Sequence, residues 1–131
     1  MIHEEICTYE VCKLAKEKGF DVHPPMYFHS GVKSDLREVG SKGANPNNIP
    51  HSPHISCPTQ TQLQRWLREE KNIVVVVDWF SIEQKYYWRV YDTSKDDMFA
   101  SFMPSAKSMS RYDTWEQALE SGLKYALKEL K

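Results

Sequence analysis

Residues 73–80 read Ile-Val-Val-Val-Val-Asp-Trp-Phe, and residues 114–130 read Thr-Trp-Glu-Gln-Ala-Leu-Glu-Ser-Gly-Leu-Lys-Tyr-Ala-Leu-Lys-Glu-Leu. The first is an unbroken β-branched run, which suits a strand covered on both faces. The second opens on Thr114, a helix cap paired with Gln117 three residues on, and carries Ala118, Leu119, Gly122, Leu123, Ala126, Leu127 and Leu130 on one broad apolar stripe. Glu116 and Glu120 come early and Lys124 and Lys128 late, matching the helix dipole. Such a helix needs a sheet to pack on, and the aliphatic run supplies one. Gly122 inside the stripe costs about 1 kcal/mol of helix propensity, which is repaid if the helix backbone lies close to the strands.

Working outward, Ser81 to Lys85 reads as a hairpin loop and Tyr86-Tyr-Trp-Arg-Val-Tyr as a second strand. Its alternation puts Tyr86, Trp88 and Val90 on one face and Tyr87, Arg89 and Tyr91 on the other. Asp92 to Asp97 turns the chain, Met98 to Met103 reads as a third strand, and Ser105 to Asp113 connects it to the last helix. Upstream, Pro58 or Thr59 starts a helix that runs to about Lys71, with Thr59 and Gln62 forming a capping box. Leu63, Trp66, Leu67 and Glu70 share one side of it, while Gln64, Arg65, Arg68 and Glu69 face outward.

A first helix is expected over Tyr9 to Lys18, capped by Thr8 and closed by Gly19, with Phe20 folding back on Leu14 or Ala15. Met26 to His29 reads as a short strand whose preceding Pro24 and Pro25 suit a sheet edge. Between Gly31 and Ser56 only six of 26 residues are apolar, against 47 of the other 105, so this segment reads as one long polar, mobile loop. The expected architecture is a single α+β domain, residues 1–131, in the order α-β-α-β-β-β-α. An antiparallel sheet of three to four strands is covered by helices.

The length, 131 residues, fits one domain. Seventeen basic against 18 acidic side chains leave a net charge of −1, so no overall field draws the chain to nucleic acid or an acidic membrane. The longest aliphatic run, Ile73 to Val77, is far short of the ~20 residues that span a bilayer. Three cysteines, Cys7, Cys12 and Cys57, fit a reducing compartment rather than a disulfide scaffold. With no export signal at the N-terminus, the expected location is cytoplasmic.

Three constellations carry possible chemistry. His51, His54 and Cys57 form H-x2-H-x2-C, side chains of the right type for zinc but without the second pair of a compact site, so no metal is assigned to them. Asp78 at a strand end, with Glu116 and Glu120 on the last helix, is the kind of acid set a two-metal hydrolase converges. Here the tight glycine turn after the first acid is missing. Tyr87, Arg89 and Tyr91 form an aromatic strand face of the kind on which single-stranded bases stack. Lys85, Arg89 and Lys95 are offset there by Asp92, Asp96 and Asp97. No phosphate-binding glycine loop and no nucleophile elbow are present, and no cofactor is called for.

Ile55-Ser-Cys-Pro-Thr-Gln-Thr-Gln-Leu-Gln-Arg-Trp-Leu-Arg68, Lys71-Asn-Ile73, Tyr112-Asp-Thr-Trp-Glu-Gln-Ala-Leu-Glu-Ser-Gly-Leu123 and Lys13-Leu-Ala-Lys-Glu-Lys-Gly-Phe-Asp21 resemble a group of small proteins of Bacteroides-type bacteria and their phage-like mobile elements. That resemblance implies no activity and no site residues. The run from the helix at 58–71 through three strands to the last helix is similar to a double-stranded-RNA-binding domain. Thr114 to Leu127 resembles the closing helix of HicB-type antitoxins. Where the RNA-binding family places a basic cluster at the start of its final helix, this chain has Asp113 and Glu116. The expected role is a non-enzymatic interaction domain whose partner is another protein or its own copy. Nucleic-acid binding through Tyr87, Arg89 and Tyr91 is the first alternative and a metal-dependent hydrolase the second.

Overall fold

A computed structural model describes residues 4–40, 45–49, 51–94 and 110–130. The chain is α+β and divides into two compact units, Met1–Leu63 and Gln64–Leu130, passing from one to the other within a helix.

In the first unit Thr8 caps helix α1 (Tyr9–Glu17) by accepting from the Val11 N–H. The helix ends as its sequence predicts. Gly19 adopts φ +91°, its N–H donates to the Lys16 carbonyl, the Phe20 N–H donates to Ala15, and the Phe20 ring is buried. Strands β1 (Met26–Phe28), β2 (Leu36–Glu38) and β3 (Ile55–Cys57) form an antiparallel sheet ordered β2-β1-β3. Phe28, Ile55 and Cys57 lie on the face toward α1, where they join Val11, Cys12 and Ala15 in the core. The Tyr9 ring meets Phe28 edge-on at 5.1 Å. Tyr27, Arg37 and Ser56 share the opposite face.

This sheet corrects two expectations. The Met26 strand is central rather than an edge, because Pro24 and Pro25 precede the ladder and all three of its residues keep an N–H to donate. Residues 31–56 are not one continuous loop. They contain β2, with every residue exposed, and the first two residues of β3, whose residues are all buried, so neither shows the alternation by which a strand is read. The Ser56 N–H on β3 is taken by the Asn47 side chain at 2.9 Å.

Helix α2 (Gln60–Glu70) begins with the reciprocal capping box. Thr59 N–H donates to Gln62 Oε1 and Gln62 N–H to Thr59 Oγ1, both at 3.1 Å. Leu63, Trp66 and Leu67 are buried, whereas Glu70 is exposed. Gln64 does not point to solvent as expected, since its Nε2 donates to the Val75 carbonyl at 2.7 Å.

In the second unit β4 (Ile73–Phe80) and β5 (Lys85–Asp92) pair over eight residues, Ile73 opposite Asp92 and Phe80 opposite Lys85. Helix α3 (Trp115–Glu129), capped by Thr114, packs on them with Ala118, Leu119, Gly122, Leu123, Ala126 and Leu127 buried. It covers one face only, that of Ile73, Val75, Val77, Trp88 and Val90. The aliphatic run therefore alternates, with Val75 1 % and Val76 39 % exposed, instead of being buried on both sides. The antiparallel pair and α3 stand as expected, but β1 pairs with β2 and β3 instead of with them, and the strand expected at Met98–Met103 lies outside the described residues.

Candidate functional site

The face of the hairpin turned away from α3 brings together Val74, Val76, Asp78 and Phe80 from β4 with Tyr91, Arg89, Tyr87 and Lys85 directly opposite them on β5. A period of two in both strands makes this inevitable once the register is set. Arg89 sits at the centre. Its Nη2 donates to Tyr87 Oη at 2.8 Å and its Nη1 to Tyr91 Oη at 3.4 Å, and these bonds, that to Tyr91 foremost, raise its pKa above the ordinary arginine value. Tyr87 in turn donates to Asp78 Oδ2 at 3.3 Å, with Arg89 Nη2 4.0 Å from the same oxygen.

Sequence reasoning missed Arg111, which arrives from the segment before α3. Its guanidinium lies over Phe80 at 4.8 Å and over Tyr87 at 5.3 Å, while Arg89 lies 5.4 Å from the Tyr87 centroid. Nothing in the local pattern around Arg111 signals this, because the contact depends on where the connection returns. Tyr87 is consequently 9 % exposed, its ring covered by two cations and its hydroxyl engaged on both sides. Tyr91 and Arg89 are half-buried and Val76 is exposed. Among the described residues each cation of the face has an anion: Arg89 has Asp78, Arg111 has Glu83 at 3.3 Å, and Lys85 has Asp113.

Comparison with protein-family models, with curated proteins and with solved structures finds no match to this chain.

The two other constellations dissolve into separate surroundings. Asp78 faces away from α3, whereas Glu116 and Glu120 lie on that helix, so the sheet stands between them. The Cys57 thiol is buried and donates to the Cys7 carbonyl at 3.4 Å, and the Cys12 thiol approaches the same oxygen at 3.7 Å. His51 is exposed, with φ +59°. No group of three or more His, Cys, Asp or Glu able to hold a metal occurs among the described residues.

His54 instead pairs with His29, their ring centroids 4.7 Å apart and tilted by 37°. Tyr27 meets the His54 ring edge-on at 5.3 Å and its hydroxyl lies 3.5 Å from His29 Nδ1. His54 Nδ1 accepts the Ser30 N–H at 2.8 Å, which makes the neutral ring an Nε2–H tautomer. The pKa of His54 is lowered by burial first, then by the like charges of His29, Lys16 and Arg37. A histidine that binds its proton less readily folded than unfolded stabilises the native state fully above about pH 6.5 and loses that contribution as pH falls through it. Stability of the wild type should therefore drop as pH falls from about 7 to below 6.5, and His54→Gln should flatten that slope in paired urea titrations. Equal slopes in the two proteins would contradict this. Asp35, held below the ordinary carboxylate range by its hydrogen bonds with Arg37, keeps its contribution throughout this range and loses it only as pH falls further.

Proposed function

We propose that the chain is a non-enzymatic interaction domain that associates with a second copy of itself through the open face of β4 and β5. The observation that carries this is the composition of that face. Exposed Val76 and half-buried Val74 lie beside a Tyr–Arg–Tyr network in which each described cation has its anion. Ile82, in the turn between the strands, adds exposed apolar surface at the hairpin end. A charge-balanced patch with interleaved signs is self-complementary, as a two-fold interface requires, and gives a polyanion little to neutralise. Covering of the Tyr87 ring supports the same choice, since base stacking needs an open aromatic face.

Sedimentation at tens of micromolar should show a dimer. Val76→Asp, which places a charge on the apolar strip, should weaken dimerisation by about a hundredfold while leaving the fold intact, because residue 76 is already exposed. A wild type that stays monomeric at about 100 µM, or a Val76→Asp variant that dimerises equally well, overturns the reading. Salt-sensitive retention on single-stranded nucleic acid by a monomer would favour the stacking alternative through Arg89 and Tyr91.

A further inference from the structure

The first unit holds a second cluster that the interaction face does not use, and the chain spends unusual backbone geometry to assemble it. The turn at 29–31 and the segment 52–54 are pressed together. Ser30 takes φ +54°, and Gly31, at φ +69°, lies so close that a Cβ there would stand 2.8 Å from the Pro53 carbonyl oxygen. Four side-chain hydrogen bonds tie the two segments to each other and to α1. Tyr9 Oη donates to the Gly31 carbonyl at 2.9 Å, and Ser30 N–H donates to His54 Nδ1. Lys16 Nζ donates to the Ser52 and His54 carbonyls at 2.8 and 2.6 Å.

The outcome is a fixed set of donors. His54 presents Nε2–H, because its other nitrogen is an acceptor. The His29 ring, its Nδ1 3.5 Å from the Tyr27 hydroxyl, carries one N–H when neutral and stacks on His54. Arg37 stands opposite Tyr27 in the strand register and is oriented by two bonds to Asp35, from Nε at 2.9 Å and from Nη2 at 3.1 Å. Lys16 adds a positive charge from α1, and Asp35 is the acid engaged with Arg37. Such surroundings repel a metal cation and favour an anion with several acceptor oxygens.

We propose that Tyr27, His29, His54 and Arg37 form a binding site for a phosphoryl oxyanion. The two imidazole N–H groups and the guanidinium supply the donors, and Arg37 and Lys16 supply the field.

The test is titration of the full chain with inorganic phosphate at constant ionic strength, followed by the histidine ring C–H resonances in NMR. His29 and His54 should shift saturably, with half-saturation in the millimolar range, while His23 and His51 stay still. Arg37→Gln and Tyr27→Phe, one an exposed side chain and the other keeping its ring, should each weaken binding by about tenfold with the His29 and His54 resonances otherwise retained. A parallel titration with a nucleoside monophosphate separates the sources. Tighter binding than phosphate identifies a nucleotide and equal binding the phosphoryl group alone, and either upholds the site. No saturation by about 20 mM, shifts reproduced by chloride, or equal shifts in all five histidines would overturn it.

Discussion

Gly122→Val should destabilise the second unit by about 3 kcal/mol or more, the largest effect expected of any single substitution considered. A Cβ on residue 122 would lie 2.9 Å from Val75 Cγ1 and 3.1 and 3.2 Å from Trp88 Cβ and Cγ. Neither neighbour yields readily. Val75 is buried in the middle of β4, and Trp88 is held by the bond from its Nε1 to Ser121 Oγ at 3.2 Å and by its ring contact with Tyr125 at 4.9 Å. The helix must therefore lift from the sheet, loosening Leu119, Leu123 and Ala126 together. Gly122→Ala sets about 1 kcal/mol of gained helix propensity against about 1 to 3 kcal/mol of overpacking, so it should fall between wild type and Val. Urea titration by tryptophan fluorescence reads this directly, because Trp66, Trp79, Trp88 and Trp115 all lie in that unit. An unchanged midpoint for Val would show that the close approach of α3 does not exist.

The second large effect is in the first unit, where Gly31→Ala should destabilise by about 2 to 3 kcal/mol. Two costs add at this position. An L-residue at φ +69° carries about 1 to 2 kcal/mol of strain, and its Cβ would have to displace the Pro53 carbonyl, a backbone atom with little freedom. Pushing 52–54 outward also breaks the Ser30 to His54 bond and withdraws the carbonyls that Lys16 holds. Gly19→Ala is the matched control. Its φ is +91°, yet nothing lies within 4 Å of a Cβ there, so strain alone applies. Amide exchange protection along Met26–Phe28 should fall markedly more for Gly31→Ala than for Gly19→Ala. Equal losses would mean that the Pro53 carbonyl gives way.

How much of this was legible follows from the range over which each feature is encoded. The caps of the helices at Thr8, Thr59 and Thr114, the Gly19 stop and the stripe on α3 depend on residues three or four apart, and the structure has each where the pattern places it. The alternation of Tyr87, Arg89 and Tyr91 against Trp88 and Val90 was equally readable, because a period of two leaves no other arrangement within one strand. Reading Ile73–Val77 as buried on both faces failed for a related reason. β-Branched residues suit a strand whether its second face is covered or open, so composition is silent on how many layers pack against it.

The amino-acid order alone thus determined the helices, their ends and which side chains of the hairpin share a face, since these are set by backbone chemistry within a turn or a pleat. Only the tertiary structure decided that Leu36–Glu38 and Ile55–Cys57 are strands, that Arg111 closes over Tyr87, and that His54 leaves the H-x2-H-x2-C spacing to stack on His29. Those partners come from distant stretches of chain, 24 residues apart between Ser30 and His54. Their meeting is fixed by the packing of whole elements, a free energy that no short window of sequence contains.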